Sequence, residues 1–327
     1  MKHKPDREGM ALLTVLLLVG VMSVVAVAVL DDVRFSIRRA GNVEFQSQAQ
    51  WYAAGAESLA RRQIARLLEA GPERTPLEPA WNGRTLQFPV EGGTLSATLQ
   101  DGQACFNLNS VVLGFGEDLI ARPLGATQFR ALGRAVGAPE SRMNAVVDGL
   151  TDWLDADMTP LPLGGEDGAY AGLATPYRTS GVMLAEVSEL RAVKGVDPET
   201  YRRLRPWVCA LPTSRLSPLN VNTLTPEQAP LLVMLTDGAL GQEQARALIA
   251  RRPRAGWPDV AAFWNEPALA SVALDPEVRE QVTVVTRFFD LRVDVELAGS
   301  RVVRTALLEA QPDGRVHTVI QRWTPEE

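Results

Sequence analysis

Hydrophobic and polar positions change their rhythm several times along the chain, and each rhythm predicts a different element. From Met10 to Leu30 the sequence runs for 21 residues without a charge, interrupted only by Thr14, Gly20 and Ser23. As a helix this stretch reaches about 31 Å, the thickness of a bilayer's hydrocarbon core. Beyond Asp31-Asp32 apolar residues recur at helical spacing, first at Val33, Ile37 and Ala40, then at Ala53, Ala56, Ala60, Ile64 and Leu67. Gly71-Pro72 supplies a helix stop. Two readings fit: a single helix of about 60 residues, half in lipid and half amphipathic, or an anchor and a second helix broken at Gly41.

After Gly71 the period shortens to two. Leu95, Ala97 and Leu99 alternate with Thr94, Ser96 and Thr98, and Glu91-Gly92-Gly93 separates this run from "TLQFPV". That is a hairpin with one buried face. At the other end "FFDLRVDVELAG", "RVVRTALLEAQ" and "RVHTVIQRW" read as a three-stranded meander turned at Gly299-Ser300 and Pro312-Asp313-Gly314. Between Asn109 and Thr286 the pattern is almost wholly helical. Strands, a helical block, then strands again predict an α+β fold: a long N-terminal helix on a small antiparallel sheet, with a large all-helical insertion.

Charge orients the apolar helix. Lys2, Lys4 and Arg7 precede it, offset by Asp6 and Glu8, so the N-terminus is expected in the cytoplasm and the bulk of the chain in the periplasm. Ala26-Val27-Ala28 offers an ordinary signal-peptidase site near the end of the run. Gly9 offers another fate. It stands at the junction of the charged leader and the apolar helix, and resembles the cleavage site of type IV pilins and pseudopilins. A prepilin peptidase cuts after that glycine and keeps the helix.

Further phrases carry a more specific resemblance: "FNLNS" at Phe106–Ser110, "DWLDAD" at Asp152–Asp157, "SELRAVKGV" at Ser188–Val196 and "LNVNT" at Leu219–Thr223. In this order, behind a prepilin-type N-terminus and a hairpin, they resemble the minor pseudopilin K (GspK) family of type II secretion systems. The resemblance covers nearly the whole chain. It implies a leader at 1–9, a transmembrane helix at 10–30, a pseudopilin domain at 31–108 and 287–327, and an insertion at 109–286. It also implies cleavage between Gly9 and Met10, with N-methylation of Met10. Most pilins have glutamate at the fifth position after the cut, to neutralise a neighbour's terminal amine. Here that position is Thr14, as suits a subunit with no neighbour ahead of it, although Thr14 is equally acceptable in a plain single-pass anchor. The implied role is a tip subunit that initiates and caps the pseudopilus exporting folded exoproteins. Its implied partners are the minor pseudopilins I and J, the major pseudopilin filament, the prepilin peptidase, the inner membrane and secreted exoproteins. A minor pilin of a type IV pilus or a competence system is the alternative.

Candidate chemistry narrows the picture. The two histidines, His3 and His317, belong to no Ser/His/Asp arrangement, and phosphate loops, H-E-x-x-H and CxxC are absent, so no enzyme is expected. Cys105 and Cys209 bracket the insertion. They form either a disulfide, natural in an oxidising compartment, or two buried thiols. Asp148, Asp152, Asp155, Asp157, Glu166 and Asp167 crowd one short segment with prolines and glycines. Held in an ordered loop they repel one another unless a hard cation neutralises them. With Asp155 counted first, Asp157 is third, Thr159 fifth and Glu166 twelfth, as in an EF-hand, but Pro160 replaces the glycine at the sixth position. The reading is a non-EF calcium site on Asp152, Asp155, Asp157, Glu166 and Asp167, which the family resemblance also implies. A solvated acidic loop is the alternative. Two stretches resemble helix-hairpin-helix units of DNA-uptake proteins: Leu219–Phe263 and, more weakly, Ser188–Leu204. The hairpin "TDGALG" carries Asp237 and no basic residue, and the net charge is −6, so no nucleic-acid partner is expected.

Overall fold

The computed structural model describes residues 8–323. Of the leader expected at 1–9, only the backbone of Glu8 and Gly9 falls among them. Helix α1 runs unbroken through Glu8–Ala70, 63 residues, and Gly41 lies inside it rather than at a break. It stops where Gly71 folds back so tightly that a Cβ there would lie 2.3 Å from the Arg74 carbonyl oxygen. Pro72 cannot continue the helix. Strands β1 (Arg84–Val90) and β2 (Gly93–Asp101) follow as the expected hairpin.

The chain then leaves the sheet. The insertion holds a second hairpin, β3 (Val112–Phe115) and β4 (Asp118–Ala121), then helices α2 (Pro123–Ala135), α3 (Glu140–Leu154), α4 (Asp167–Ala171), α5 (Pro198–Leu204), α6 (Ala229–Leu235), α7 (Gln242–Ala250), α8 (Val260–Trp264) and α9 (Pro276–Gln281). The expectation of an all-helical insert is thus corrected. Besides the hairpin, Phe106–Asn107 pairs with Val208–Cys209 and Leu219–Asn220 with Val282–Thr283, both parallel. Runs of two to four residues are too short to display a period of two, which is why they read as helix or loop.

Strands β5 (Phe288–Leu297), β6 (Ser300–Ala310) and β7 (Val316–Arg322) complete one antiparallel sheet in the order β1-β2-β5-β6-β7. β2 pairs with β5, so the whole insertion leaves and re-enters between two neighbouring strands. One sheet face receives α1: Ala49, Ala53, Ile64 and Leu68 pack on Phe289, Leu291, Val293, Val295 and Leu308. The small alanines let the helix approach closely. A separate core fills the insertion, with Phe106 stacked on Phe129 at 4.7 Å among Leu132, Val147, Leu150 and Leu231.

Asparagines tie distant segments of the insertion to one another and to its exit at Thr286, which explains two of the recurring phrases. In "FNLNS", Asn107 donates to the Thr213 carbonyl at 2.7 Å and accepts from the Leu211 amide, while Asn109 accepts from the Leu184 amide at 2.7 Å. In "LNVNT", Asn220 donates to Thr286 Oγ1 and Asn222 exchanges two bonds with Trp257. Buried Asp101 accepts from both Thr223 and Thr286, and burial raises its pKa to about 6. Cys105 and Cys209 are joined as a disulfide across the base of the insertion. Their proximity follows from the parallel pairing beside them.

Candidate metal centre

Helix α3 builds the first wall of the acidic corner. Its buried face carries Asp148 and Asp152 one turn apart, and the helix ends at Leu154 because Asp155 turns extended at the C-cap. Asp148 is compensated inside the protein: Arg130 donates to its Oδ1 at 2.8 Å. Asp152 is fully buried and receives the Leu161 amide at 3.0 Å. Burial still raises its pKa. Gly164 is required here, since a Cβ would lie 2.0 Å from Asp152 Oδ2. The Lys194 ammonium donates to the Gly164 carbonyl and so pins the loop's return.

That return carries Glu166, the residue that caps α4, back to the end of α3. Oxygen atoms of Asp155, Asp157 and Glu166 consequently lie within 4.8 Å of one another. Asp155 and Glu166 are only 6% and 7% exposed. Asp155 Oδ1 and Glu166 Oε1 are buried with no hydrogen-bond partner. Burial pushes both carboxyls up to about 7, reinforced by repulsion from Asp152 and Asp157. Two buried, unpartnered carboxylate oxygens facing a third, exposed carboxylate make an oxygen-only donor set, and among the described residues none of the three carboxylates is ion-paired. Such a set suits a hard divalent ion.

The five residues singled out from the sequence therefore divide. Asp155, Asp157 and Glu166 converge, at the first, third and twelfth places of the loop count, although Pro160 denies the loop an EF-hand backbone. Asp152 stands behind them, held by backbone amides. Asp167 turns away: its Oδ1 accepts from the Thr179 amide and hydroxyl, and Arg178 lies 3.7 Å from its other oxygen. Beneath the loop, Trp153 and Tyr170 meet edge to face at 5.3 Å.

Sequence reading missed a second buried charge site. Glu57, on the sheet-facing side of α1, accepts from Arg304 Nε at 2.7 Å and from Thr318 Oγ1 at 2.6 Å. Glu57 is 4% exposed and Arg304 7%. The signal was present, because Glu57 falls four residues after Ala53 and three before Ala60, inside the apolar stripe. Thr14, by contrast, satisfies its hydroxyl within its own helix on the Ala11 carbonyl at 2.9 Å. The helix-hairpin-helix-like unit at Leu219–Phe263 packs as scaffold: Leu231, Leu235 and Leu248 are buried, and Asp237 in its hairpin pairs with Arg134 at 2.6 Å.

A long apolar-to-amphipathic helix laid on an antiparallel sheet defines a pilin-like subunit with a single-pass membrane anchor. The profile of the family described as "Type II secretion system (T2SS), protein K" matches residues 104–213 and again 219–285. A type II secretion system protein K of Klebsiella pneumoniae is 35% identical over all of both chains. That of Pectobacterium carotovorum is 34% identical over 97% of this chain and 96% of its own. Among solved structures, a chain of the GspK-GspI-GspJ complex from enterotoxigenic Escherichia coli superposes with a TM-score of 0.77 at 32% identity, covering 88% of this chain and 100% of its own. The chain belongs to the type II secretion system protein K family and is a minor pseudopilin of type II secretion. The family is a structural one.

Proposed function

We propose that this pseudopilin leads the filament as its tip subunit, a non-enzymatic cap that assembles with pseudopilins I and J and initiates the pseudopilus that moves exoproteins out of the periplasm. The observation that carries this reading is the insertion between β2 and β5. A subunit inside a helical filament contacts neighbours above and below through one repeated heterologous interface. A second core mounted on the head obstructs the subunit above, whereas at the tip nothing lies above. Thr14, self-satisfied and uncharged, is consistent with a place that has no neighbouring amine to neutralise. The test is a mixture of soluble fragments beginning near Asp32 with pseudopilins I and J. Light scattering is expected to find one copy of each in a discrete complex. Extended arrays of this chain, or no binding to either partner, count against the tip.

The same reading has the leader removed after Gly9, Met10 N-methylated, and everything beyond Leu30 in the periplasm. N-terminal sequencing of membrane-extracted protein is expected to begin MALLTV. A start at Val29 would mean an ordinary secretory signal instead. Asp155, Asp157 and Glu166 would hold calcium, with Asp152 supporting them. The donor chemistry supports the assignment, since the orphaned oxygens of Asp155 and Glu166 are what a hard cation would satisfy. Its role would be structural: to tie the loop after α3 to the start of α4.

A further inference from the structure

Four segments meet at the neck between the two cores, and one carboxylate ties them together. β2 leaves the sheet at Asp101 and β5 re-enters it at Phe288. The connection from α1 passes beside them with Thr75 and Asn82, and the insertion reaches back with Asn220 and Thr223. Asp101 Oδ2 accepts from Thr223 Oγ1 at 2.6 Å and from Thr286 Oγ1 at 2.7 Å, while Oδ1 accepts from the Gln103 amide at 2.8 Å. The Asp101 amide donates to Asn82 Oδ1, and Asn82 Nδ2 donates to the Thr223 carbonyl. Asn220 Nδ2 donates to Thr286 Oγ1, and the Thr286 amide to Thr75 Oγ1. A single side chain thus bonds the insertion on one side and the returning strand on the other.

What this carboxylate lacks is a cation. The charged residues of the segments packed around it are Glu73, Arg74 and Glu78 before β1, Arg252 beneath the Thr223 loop, and Arg287 and Asp290 at the re-entry. Arg252 is spent on the Val221 and Leu224 carbonyls. Among the described residues none of these arginines is ion-paired with Asp101. Burial therefore raises its pKa to about 6, against the lowering effect of the Thr223 and Thr286 hydroxyls and the Gln103 and Ala104 amides.

The neck has two complete hydrogen-bond networks to choose between. The Thr223 hydroxyl has one proton and two acceptors, since the Asn220 carbonyl lies 2.9 Å from Oγ1. With a proton on Oδ2, Asp101 donates to Thr223 Oγ1, the Thr223 proton turns to the Asn220 carbonyl, and Thr286 goes on donating to Asp101. When the proton leaves for solvent, Thr223 turns back to Asp101, and two hydroxyls and an amide surround a buried charge that has no counter-ion. Every group keeps a partner in both states, but only the second carries the cost of burying a charge. We propose that Asp101 is a proton-operated clasp between the insertion and the sheet, closed most firmly with its proton bound and more readily opened once that proton is lost. The acidity around the protein then sets how firmly the head holds its second core. The clasp is internal to the chain and depends neither on the tip reading nor on a bound cation.

The test is hydrogen–deuterium exchange of the full-length chain in detergent, read by mass spectrometry on segments 99–105 and 283–288 and corrected for the intrinsic effect of pH on exchange. From about pH 5 to about pH 8 protection of these segments should fall about tenfold, because the closed neck holds a proton that the open one releases. Asp101→Asn, which keeps the shape and cannot ionise, should remove that fall. Thr223→Val keeps the carboxyl but takes away the hydroxyl that turns. The charged form then loses a donor, so the midpoint of the change should rise by about half a pH unit or more, and Thr223→Ser should restore it. A merely structural hydroxyl would leave the midpoint where it is. This second variant decides the matter even if Asp101→Asn does not fold. Protection that is flat across this range, Asp101→Asn following the parent profile, or an unmoved midpoint in Thr223→Val would each overturn the clasp.

Discussion

The joint between α1 and the sheet and the acidic corner of the insertion both bury carboxylates, and they compensate them differently. At the joint, Glu57 meets a cation of the same chain, Arg304, and a hydroxyl, Thr318. In the corner, Asp155 and Glu166 are as well buried but face Asp157 and Asp152, and each keeps an oxygen without a partner. An ion pair closed within the chain is architecture: it fixes where the helix sits on the sheet. A charge left unbalanced inside the chain calls for something from outside. The contrast separates a buried charge that is balanced within the chain from one that is not.

The largest expected effect lies at neither site but at the staple between the two cores. Replacing Cys105 and Cys209 by Ala opens a loop of about 100 residues and should cost about 4–5 kcal/mol by the chain-entropy relation. Denaturant titration measures it, and a loss below about 1 kcal/mol would mean that the reduced chain retains the same constraint.

Glu57→Ala comes next. It strands the Arg304 guanidinium between helix and sheet and should cost about 3–5 kcal/mol, while pairing Glu57→Leu with Arg304→Met should recover most of that loss. If the single variant is as stable as the parent protein, the pair does not hold the joint, and the contrast with the acidic corner fails.

Calcium should contribute about 2.7 kcal/mol at a free concentration about a hundred times its dissociation constant, reversed by chelator. Asp155→Asn should remove that response and leave the metal-free melting temperature equal or higher, because it deletes a repelled, desolvated charge. Superimposable melting curves with calcium and chelator would identify the loop as merely solvated.

The smallest effect is a pH dependence whose sign is fixed by the raised carboxyls. Asp155 and Glu166 move from 3.8 and 4.5 to about 7 in the metal-free fold. Between those limits the folded state holds more protons than the unfolded one, so metal-free stability falls as pH rises from about 4 to 7. Calcium must displace the same protons, so its stabilisation should grow as pH rises through 7. A calcium response that is flat from pH 5 to 8 would separate the ion from these carboxyls.

How much of this was legible in advance depended on the range of the forces involved. The helical character of both halves of the 63-residue helix, the first hairpin and the closing meander are each dictated by local periodicity, so the sequence displayed them, while the continuity through Gly41 did not show in advance. The loop count likewise singled out Asp155, Asp157 and Glu166, whose carboxylates converge. The count did not show that Asp167 bends away to Thr179 and Arg178 or that Asp152 is claimed by the Leu161 amide. Those choices depend on residues far along the chain or on the path of the loop.

By itself the sequence determined which segments are apolar, amphipathic or alternating, and hence that an apolar helix and an amphipathic one precede a small sheet, whereas their fusion into one helix came from the structure. It also placed two cysteines so as to bracket much of a long insertion, and a knot of carboxylates within it. Tertiary structure alone decided that the insertion enters and leaves between two paired strands, that the cysteines meet, and that Glu57 finds Arg304 across 247 positions of chain. It also decided which three carboxylates converge. Periodicity is a property of neighbours along the chain, whereas compensation of a buried charge depends on whatever the fold brings next to it. Only the second tells a charge that is already balanced from one that still needs a ligand.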